Sequence, residues 1–309
     1  MNEKNIKNDI VSPENSSYTK NMNRIATAFF SVLSVLVFLP VLLVLIVSVS
    51  SEDSVTAIGY SFIPQSLSLD AYSYIFRSGG YLARACLNSA VITAAGTIFG
   101  LILMCPLAYA LSRREFVIGR FILIYLMIPM LFSGGLVATY MVNTQILHLK
   151  NTYMALVLPG LCSTWYILIL RNYFKTSIPD SIIESAMLDG CSQVQILSFI
   201  VVPISKPVIM TVAVFQMFSY WNSWYPSLLY LDSNHTELYP LQYVLVNMQR
   251  SIEAIAKDAQ YLSGMSANTA PTVTIRMAMV VIVILPIILL FPFFHRFLKT
   301  GMTVGAVKG

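Results

Sequence analysis

Three carboxylates are the residues of this chain whose types and spacing first suggest chemistry. Asp180, Glu184 and Asp189 lie in the stretch PDSIIESAMLDGCSQVQILSFIVVPISKP, residues 179–207, which has no Lys or Arg before Lys206. An interfacial amphipathic helix favours Lys and Arg on its polar face, and a DNA-reading helix needs basic groups for phosphates. Acids beside an apolar stripe instead suit a groove on another protein. The pattern therefore predicts docking to a protein partner and no nucleic-acid binding.

The same stretch, called the hairpin below, carries start and stop signals for two short helices. Ser177-x-x-Asp180 and Ser192-x-x-Gln195 have the spacing of capping boxes, in which side chains satisfy the backbone N–H groups that a helix start leaves unpaired. Gly190 can adopt the left-handed conformation that ends a helix. We therefore expect a helix, a glycine turn and a second helix. The apolar stripe expected on the first helix consists of Ile182, Ile183, Ala186 and Met187.

Long charge-free windows flank the hairpin and decide the class of protein. The chain of 309 residues is 57% hydrophobic and 11% charged, whereas globular chains are about a quarter charged. Each window has, or nearly has, the length of about 20 apolar residues that a membrane-spanning helix needs. The windows without Asp, Glu, Lys or Arg are 25–51, 85–112, 121–149, 151–170, 207–231 and 277–295. We therefore predict an all-α polytopic membrane protein with six transmembrane helices.

One transmembrane domain, 25–298, is expected between an N-terminal tail, 1–24, and a C-terminal tail, 299–309. Thirteen of the 19 Lys and Arg residues fall on the side of the termini and of the loop 171–206, which predicts that both termini are cytoplasmic. The long loop 232–276 is then external. The net charge of +5 follows from this topology and needs no nucleic-acid partner. The predicted spans are about 26–50, 87–112, 121–143, 152–170, 207–231 and 277–295.

A cluster of polar and aromatic side chains occupies the fifth window. Polar groups at membrane depth usually face the interior of a helix bundle, and aromatic faces suit stacking on sugar rings. Trp and Tyr also form belts at membrane interfaces, so an interfacial role stays open. The candidate residues for a substrate path are Gln216, Tyr220, Trp221, Asn222, Trp224 and Tyr225.

The tip of the loop 232–276 reads YLSGMSANTAP and is rich in small polar residues, which make a turn adaptable. An ordinary solvated loop and an exposed finger for an extracellular partner fit this composition equally well. If the loop is a finger, the candidate contacts with a binding protein are Tyr261, Ser263, Gly264 and Asn268.

The sequence has no catalytic or metal-binding constellation. His148, His235 and His295 have neither metal-ligand spacing nor an acidic triad partner, and the four cysteines form no CxxC pair. There is no P-loop motif for ATP hydrolysis and no G-x-S-x-G elbow of a hydrolase. We therefore expect no catalysis, no metal and no cofactor in this chain itself.

The stretch ESAMLDGCSQVQILSFIVVPISKP resembles the EAA motif of binding-protein-dependent ABC importer permeases, whose core reads E-A-A, two residues, D-G-A and then an I/V-x-x-P tail. The residues that match it at the family's spacing are Glu184, Ala186, Asp189, Gly190 and Pro203. Ser185 and Cys191, both small, stand in place of two alanines. Six spans, the loop GYSFIPQSLSLDAYSYIF and the ending FPFFHRFLKTGMTVGAVKG are similar to the maltose-type inner permeases of the carbohydrate-uptake class, and most to Gram-positive oligosaccharide importers.

This resemblance implies a type I ABC importer permease fold and a set of partners. The hairpin would be a coupling helix in a cleft of a cytoplasmic ATPase dimer, which binds ATP and Mg²⁺ and rocks the spans between inward- and outward-facing states. A second related permease, an extracellular solute-binding lipoprotein and an oligosaccharide substrate complete the system in the bacterial cell membrane. Glu184 would pair with a basic group of the ATPase, and Ala186 would let the ATPase approach closely. The implied ATPase-coupling residues are Glu184, Ser185, Ala186, Asp189, Gly190 and Pro203.

The alternative is a stand-alone secondary transporter driven by an ion gradient. That class prefers ionisable residues inside its spans and helices broken by Gly or Pro in matching halves. The charge-free windows argue against it, although Pro40, Pro106, Pro129, Pro159 and Pro286 leave room for kinks. A third class, a membrane enzyme or scaffold, lacks any catalytic constellation here.

Overall fold

The computed structural model describes residues 17–77, 80–261 and 273–304 of the chain, and most of these residues are helical. Within these ranges no β-strand forms, and the one β-type contact is an isolated antiparallel bridge between Ser50 and Leu67. The predicted all-α fold is therefore confirmed.

The helices lie in two compact units, which are described separately below. The first unit holds the described residues 17–74 and 273–281, and the second holds the remaining described residues. In chain order the helices are α1 (Ser17–Ser48), α2 (Glu52–Ile58), α3 (Asp70–Arg77), α4 (Gly80–Ser112), α5 (Gly119–Leu131), α6 (Gly135–Met141), α7 (Tyr153–Val157), α8 (Thr164–Ser177), α9 (Asp180–Leu188), α10 (Gln193–Gln195), α11 (Val202–Ile204), α12 (Lys206–Trp221), α13 (Tyr225–Tyr230), α14 (Leu241–Tyr261) and α15 (Val273–Val304). Two π-helical segments, Val142–Ile146 and Ile196–Val201, continue α6 and α10.

In the first unit, one carboxylate holds the start of α15. The two oxygens of Glu52 accept hydrogen bonds from the backbone N–H groups of Val273 and Thr274, at 2.9 Å each, and from the Thr274 hydroxyl at 2.7 Å. A helix start leaves such N–H groups unpaired and carries partial positive charge, so a carboxylate there is stabilising. Glu52 itself lies in the first turn of α2, which Ser51 caps.

The outermost helices extend past the predicted span boundaries. α1 begins at Ser17, inside the predicted tail 1–24, and α15 runs to Val304, inside the predicted tail 299–309. Once a helix exists, adding a residue costs little, so polar flanking residues continue it beyond the apolar window.

Three of the predicted spans are interrupted, which hydropathy alone does not reveal. The third window bends by 117° between α5 and α6, where Gly135 has a positive φ of 80°. The fourth bends by 46° near Pro159 and Gly160, and its second part continues through Ser177 into the predicted loop 171–206. The fifth window, 207–231, ends its first helix at Trp221 and resumes as α13.

In the described part of the chain, Asn21–Ser48 and Gly80–Ser112 are long and apolar enough to cross a membrane as single helices. Counting each of three bent helix pairs as one span raises the number to five, and Val273–Leu289 is a shorter apolar segment within α15. The six spans therefore stay a prediction.

In the second unit, α4 packs closely against α12 because two glycines leave room. A Cβ added at Gly96 would overlap the ring of Tyr220, and one added at Gly100 would overlap the side-chain amide of Gln216 and lie 2.7 Å from the carbonyl oxygen of Leu161. The four-residue spacing of these glycines is the pattern that lets membrane helices approach closely.

We expect Gly100→Ala to lower the free energy of unfolding by about 1–3 kcal/mol, the usual range for overpacking a filled interior. The backbone carbonyl of Leu161 cannot rotate away as a side chain could. The measurement is the thermal unfolding midpoint in detergent. Gly80→Ala is the matched control, since its added Cβ meets nothing within 4 Å. Equal midpoints for the two variants would contradict the packing argument.

Candidate functional site

The first helix of the hairpin, α9, begins without the predicted capping box. Ser177 is the last residue of α8, and Pro179 precedes α9 with no side-chain cap. The prediction failed because a residue before proline is driven out of the helical region. Ile178 is accordingly extended, with φ −111° and ψ 109°, and it separates the serine from the helix that the serine was expected to cap.

The turn between the two helices forms as predicted. Gly190 has a φ of 82°, its N–H donates to the carbonyl of Met187, and the N–H of Cys191 donates to the carbonyl of Ala186, at 3.0 Å each. This pair of bonds is the Schellman arrangement that satisfies the last carbonyls of a helix. The capping box of Ser192 with Gln195 is also confirmed, because both of its reciprocal hydrogen bonds are present.

Two residues of the predicted apolar stripe of α9 are buried, and the other two are exposed. Ile183 and Ala186 are buried in a core shared with α4, α8 and α12, and Ala186 is only 7% exposed. Ala186 therefore packs against its own chain, and its predicted role in the approach of a partner stays a prediction. Met187 and Leu188 remain exposed, Leu188 by 89%. One edge of the hairpin is thus packed against the unit, and the other edge is exposed.

The other motif residues lie on the free side. Glu184, Ser185, Asp189, Gly190 and Pro203 are all exposed. Met187 and Leu188 are exposed beside them, so acidic and apolar side chains lie together on the part of the hairpin that its own chain does not cover.

An arginine that sequence reasoning counted only as a membrane-flanking charge ties the hairpin to α4. Arg113 forms an ion pair with Asp180 at 3.0 Å and donates to the carbonyl of Phe174 at 3.2 Å. Its guanidinium lies 5.3 Å from the ring centre of Tyr109, and the Tyr109 hydroxyl donates to Oε1 of Gln193 at 2.9 Å. The end of α4 is therefore bonded to α8, to α9 and to α10.

A groove of about 500 Å³ lies between the end of α4 and the hairpin. Both polar and apolar side chains line it. The charged or amide side chains are those of Arg113, Glu115, Asp180, Glu184 and Gln193. The other lining residues are Pro106, Tyr109, Ala110, Phe116, Ile183, Met187, Val194 and Leu197.

Three of the predicted substrate-path residues are packed inside the unit. Gln216 is 1% exposed, and its Nε2 donates to the carbonyls of Gly96 and Leu161 at 3.2 and 3.1 Å. The Tyr220 hydroxyl donates to a backbone carbonyl beside the bend in the fourth window, at 2.7 Å, and the Trp221 indole N–H donates to one in α15. These side chains join helices through their hydrogen bonds, and bent helices in a membrane need such donors for their freed carbonyls. Trp221 also lines a cavity of about 270 Å³, and the role of the three residues in a substrate path stays a prediction.

The other three substrate-path candidates are accessible and meet α14. Trp224 and Tyr225 pack edge to face with ring centres 5.7 Å apart, and the guanidinium of Arg250 lies 5.4 Å from the ring centre of Trp224. Asn222 accepts a hydrogen bond from Nε2 of Gln242 at 3.1 Å. The sequence did not single out Arg250 as a candidate, because its neighbours in α14 form no motif that indicates a binding site.

The hairpin and these accessible residues lie toward opposite ends of α4. Tyr109 reaches the hairpin, whereas Ser89 accepts from the N–H of Leu241 at the start of α14, and Asn88 donates to the carbonyl of Tyr239. Twenty residues of one helix separate Ser89 from Tyr109, which is roughly 30 Å and close to the thickness of the bilayer core.

An ion pair and two hydrogen bonds hold the segment that leads into α14. Asp232 forms an ion pair with Lys150 at 3.0 Å and exchanges two hydrogen bonds with Asn151 at 2.8 Å. The hydrogen bond from Asn151, and after it that from Lys150, holds the pKa of Asp232 below its usual value.

The predicted contacts with a binding protein lie at and beyond the end of α14. Ser263, Gly264 and Asn268 lie outside the described residues, and Tyr261 is the last residue of α14. Among the described residues, no three His, Cys, Asp or Glu side chains come together as metal ligands.

Known proteins similar to this chain are transport components. Residues 96–304 match the family described as binding-protein-dependent transport system inner membrane component. The polygalacturonan/rhamnogalacturonan transport system permease protein YtcP of Bacillus subtilis (strain 168) is 36% identical over 284 residues, which cover 91% of this chain and 96% of that protein. The arabinooligosaccharides transport system permease protein AraQ of the same organism is 27% identical over 305 residues, covering 96% and 99%.

One solved structure shares the fold. A bacterial ABC transporter involved in the import of the acidic polysaccharide alginate matches with a TM-score of 0.76 and 24% identity, over 91% of this chain and 98% of that chain. The predicted permease fold and the resemblance seen in the hairpin motif are thus confirmed. The family match and the 36% identical relative together extend over most of the chain, and the chain belongs to the family of binding-protein-dependent transport system inner membrane components.

Proposed function

We propose that this chain is a transmembrane permease subunit of an ATP-driven importer, and that it translocates a carbohydrate delivered by an extracellular binding protein. The observation that carries the proposal is the hairpin, whose motif residues other than Ala186 are exposed at one end of α4 while its inner edge packs against the unit. The names of the relatives support a carbohydrate, and two of them name a polysaccharide or an oligosaccharide system. We infer an oligosaccharide as the substrate.

The hairpin is the proposed contact with a cytoplasmic ATPase dimer. The chain has no P-loop of its own, so ATP and Mg²⁺ are bound by that partner. Glu184 and Asp189 give the exposed face a negative character, which favours a basic cleft on the ATPase. The groove beside the hairpin extends this surface to α4. A second, related permease completes the transmembrane part as a heterodimer.

The proposed orientation follows from the hairpin. If it faces the cytoplasm, both termini do so as well, and α14 with the loop 232–276 lies outside. There we place the contact with the binding lipoprotein, at Tyr261, Ser263, Gly264 and Asn268. The secondary-transporter alternative is not favoured, because the chain belongs to a family that works with binding proteins.

The network around Arg113 is the proposed route by which movement of the hairpin reaches the spans. The ion pair with Asp180 and the bond from Tyr109 to Gln193 attach both helices of the hairpin to the end of α4. A displacement of the hairpin by the ATPase therefore pulls on α4 directly. Without these bonds the buried side chains Ile183 and Ala186 still anchor the hairpin, but the angle between the hairpin and α4 is less firmly fixed.

The proposed function is tested by reconstitution of the complete complex. The chain is co-expressed with its second permease and ATPase, the binding protein is screened for the sugar it holds, and uptake of that sugar into liposomes is measured. We expect uptake to need both ATP and the binding protein. Uptake by this chain alone, without ATP, would contradict the proposal and favour an ion-driven transporter.

We expect Glu184→Lys to weaken retention of the ATPase in the purified complex by about tenfold or more, because it replaces one member of a desolvated charge pair with its opposite. The measurement is the ratio of ATPase to permease after gel filtration. Asp53→Lys is the control, since Asp53 is also an exposed acid and lies outside the hairpin. Wild-type retention for Glu184→Lys would mean that Glu184 is only a solvated carboxylate.

Arg113→Ala should separate binding of the ATPase from transmission of the hairpin's movement to the spans. We expect the ATPase to stay bound and to hydrolyse ATP, while sugar imported per ATP hydrolysed falls on the order of tenfold. Arg114→Ala removes the same charge at the exposed neighbouring position and should leave this ratio unchanged. If Arg113→Ala and Arg114→Ala behave alike, the network does not transmit movement. Arg113→Lys tests the geometry, because lysine keeps the charge and loses the planar fork.

A further inference from the structure

Five side chains at the end of the second unit away from the hairpin form a surface that the proposed function does not yet use. This surface, called the mouth patch, consists of Asn222, Trp224, Tyr225, Gln242 and Arg250. It lies where the fifth window is interrupted, between α12 and α13, and is completed by α14. Its position at the far end of α4 places it on the side from which cargo would enter.

The aromatic part of the mouth patch is open and shaped for a ring. Tyr225 is 44% exposed and Trp224 is partly exposed, and their planes are 88° apart. Two perpendicular rings form a corner in which a flat ligand face can lie on one ring and touch the edge of the other. The paired amides of Asn222 and Gln242 beside them offer both donors and acceptors, which suit hydroxyl groups.

The charge of Arg250 has no counter-charge in the described part of the protein. Among the described side chains no carboxylate lies within ion-pair distance of its guanidinium, which lies over the ring of Trp224. A guanidinium has five N–H donors in a fixed fork that matches a carboxylate with two parallel hydrogen bonds. The mouth patch therefore combines a stacking surface, hydroxyl partners and an anion partner.

We propose that the mouth patch binds oligosaccharides that carry carboxylates, such as those built of uronic acids, with Arg250 holding the carboxylate and Trp224 and Tyr225 stacking on the sugar ring. This inference rests on the proposed function and narrows its substrate class. A neutral oligosaccharide would use the rings and the amides but would bring no charge to a guanidinium that has no carboxylate partner among the described side chains, so the patch discriminates by charge.

The test uses the assembled permease and ATPase complex without binding protein, so that the measured affinity belongs to the membrane part. The probes are trigalacturonate and α-1,4-galactotriose, which share ring and linkage and differ in having carboxylates or hydroxymethyl groups. Equilibrium dialysis gives the dissociation constant of each. We expect tighter binding of trigalacturonate, and we expect Arg250→Gln to weaken it by about tenfold with a much smaller change for galactotriose.

Two further variants separate recognition from folding. Arg77→Gln removes another exposed guanidinium outside the patch and should leave both dissociation constants unchanged. Arg250→Lys should recover part of the preference for trigalacturonate, since the charge remains and the fork is lost. The proposal is overturned if the wild-type complex binds neither probe or both equally, or if Arg250→Gln weakens both probes to the same degree.

Uptake by the same complexes with binding protein and ATP keeps the two proposals apart. ATP-dependent sugar uptake together with absent charge discrimination at the patch would refute the role of Arg250 and leave the importer intact. Absence of any ATP-dependent sugar uptake would instead refute the proposed function.

Discussion

A bend in a broken apolar helix imposes the constraint on which the rest of this structure depends. Near the bend the carbonyls of Val157, Gly160 and Leu161 accept hydrogen bonds from side chains of another helix, and in a membrane lipid could not supply such donors. The Gln216 amide and the Tyr220 hydroxyl of α12 supply them. They reach the bend only because Gly96 and Gly100 place no side chain between α12 and α4. Two glycines and two polar side chains thus fix α4, α8 and α12 as one packed group.

This packing makes α4 the element that connects the two ends of the second unit. At one end Arg113 and Tyr109 hold the hairpin, and at the other Asn88 and Ser89 hold the segment leading into α14. The helix spans 33 residues and is packed against its neighbours through its middle. A rigid element of that kind transmits displacement better than a chain of loops, because packed interiors have few alternative arrangements.

Sequence reasoning succeeded where the signal was local and failed where it was tertiary. The Gly190 turn and the Ser192–Gln195 box depend on neighbouring residues, and both formed as predicted. The Ser177 box failed because a neighbouring proline overrode the spacing. The burial of Ala186 and the packing of Gln216 depend on helices distant in sequence, and no pattern in one segment contains that information. Helical class and family followed from hydropathy and motif, whereas the bends within three windows did not.

The two ends of the second unit carry opposite charges, and the distance between them makes their electrostatic interaction weak. The hairpin presents Glu184 and Asp189, and the mouth patch presents Arg250. At roughly 30 Å and an effective dielectric constant of about 20, two unit charges interact by only about 0.6 kcal/mol. Each end could therefore bind the partner proposed for it, basic at the hairpin and acidic at the mouth, without weakening the other. Because so small an energy cannot drive a conformational change, the proposed coupling between the ends would have to be mechanical, through the packed length of α4.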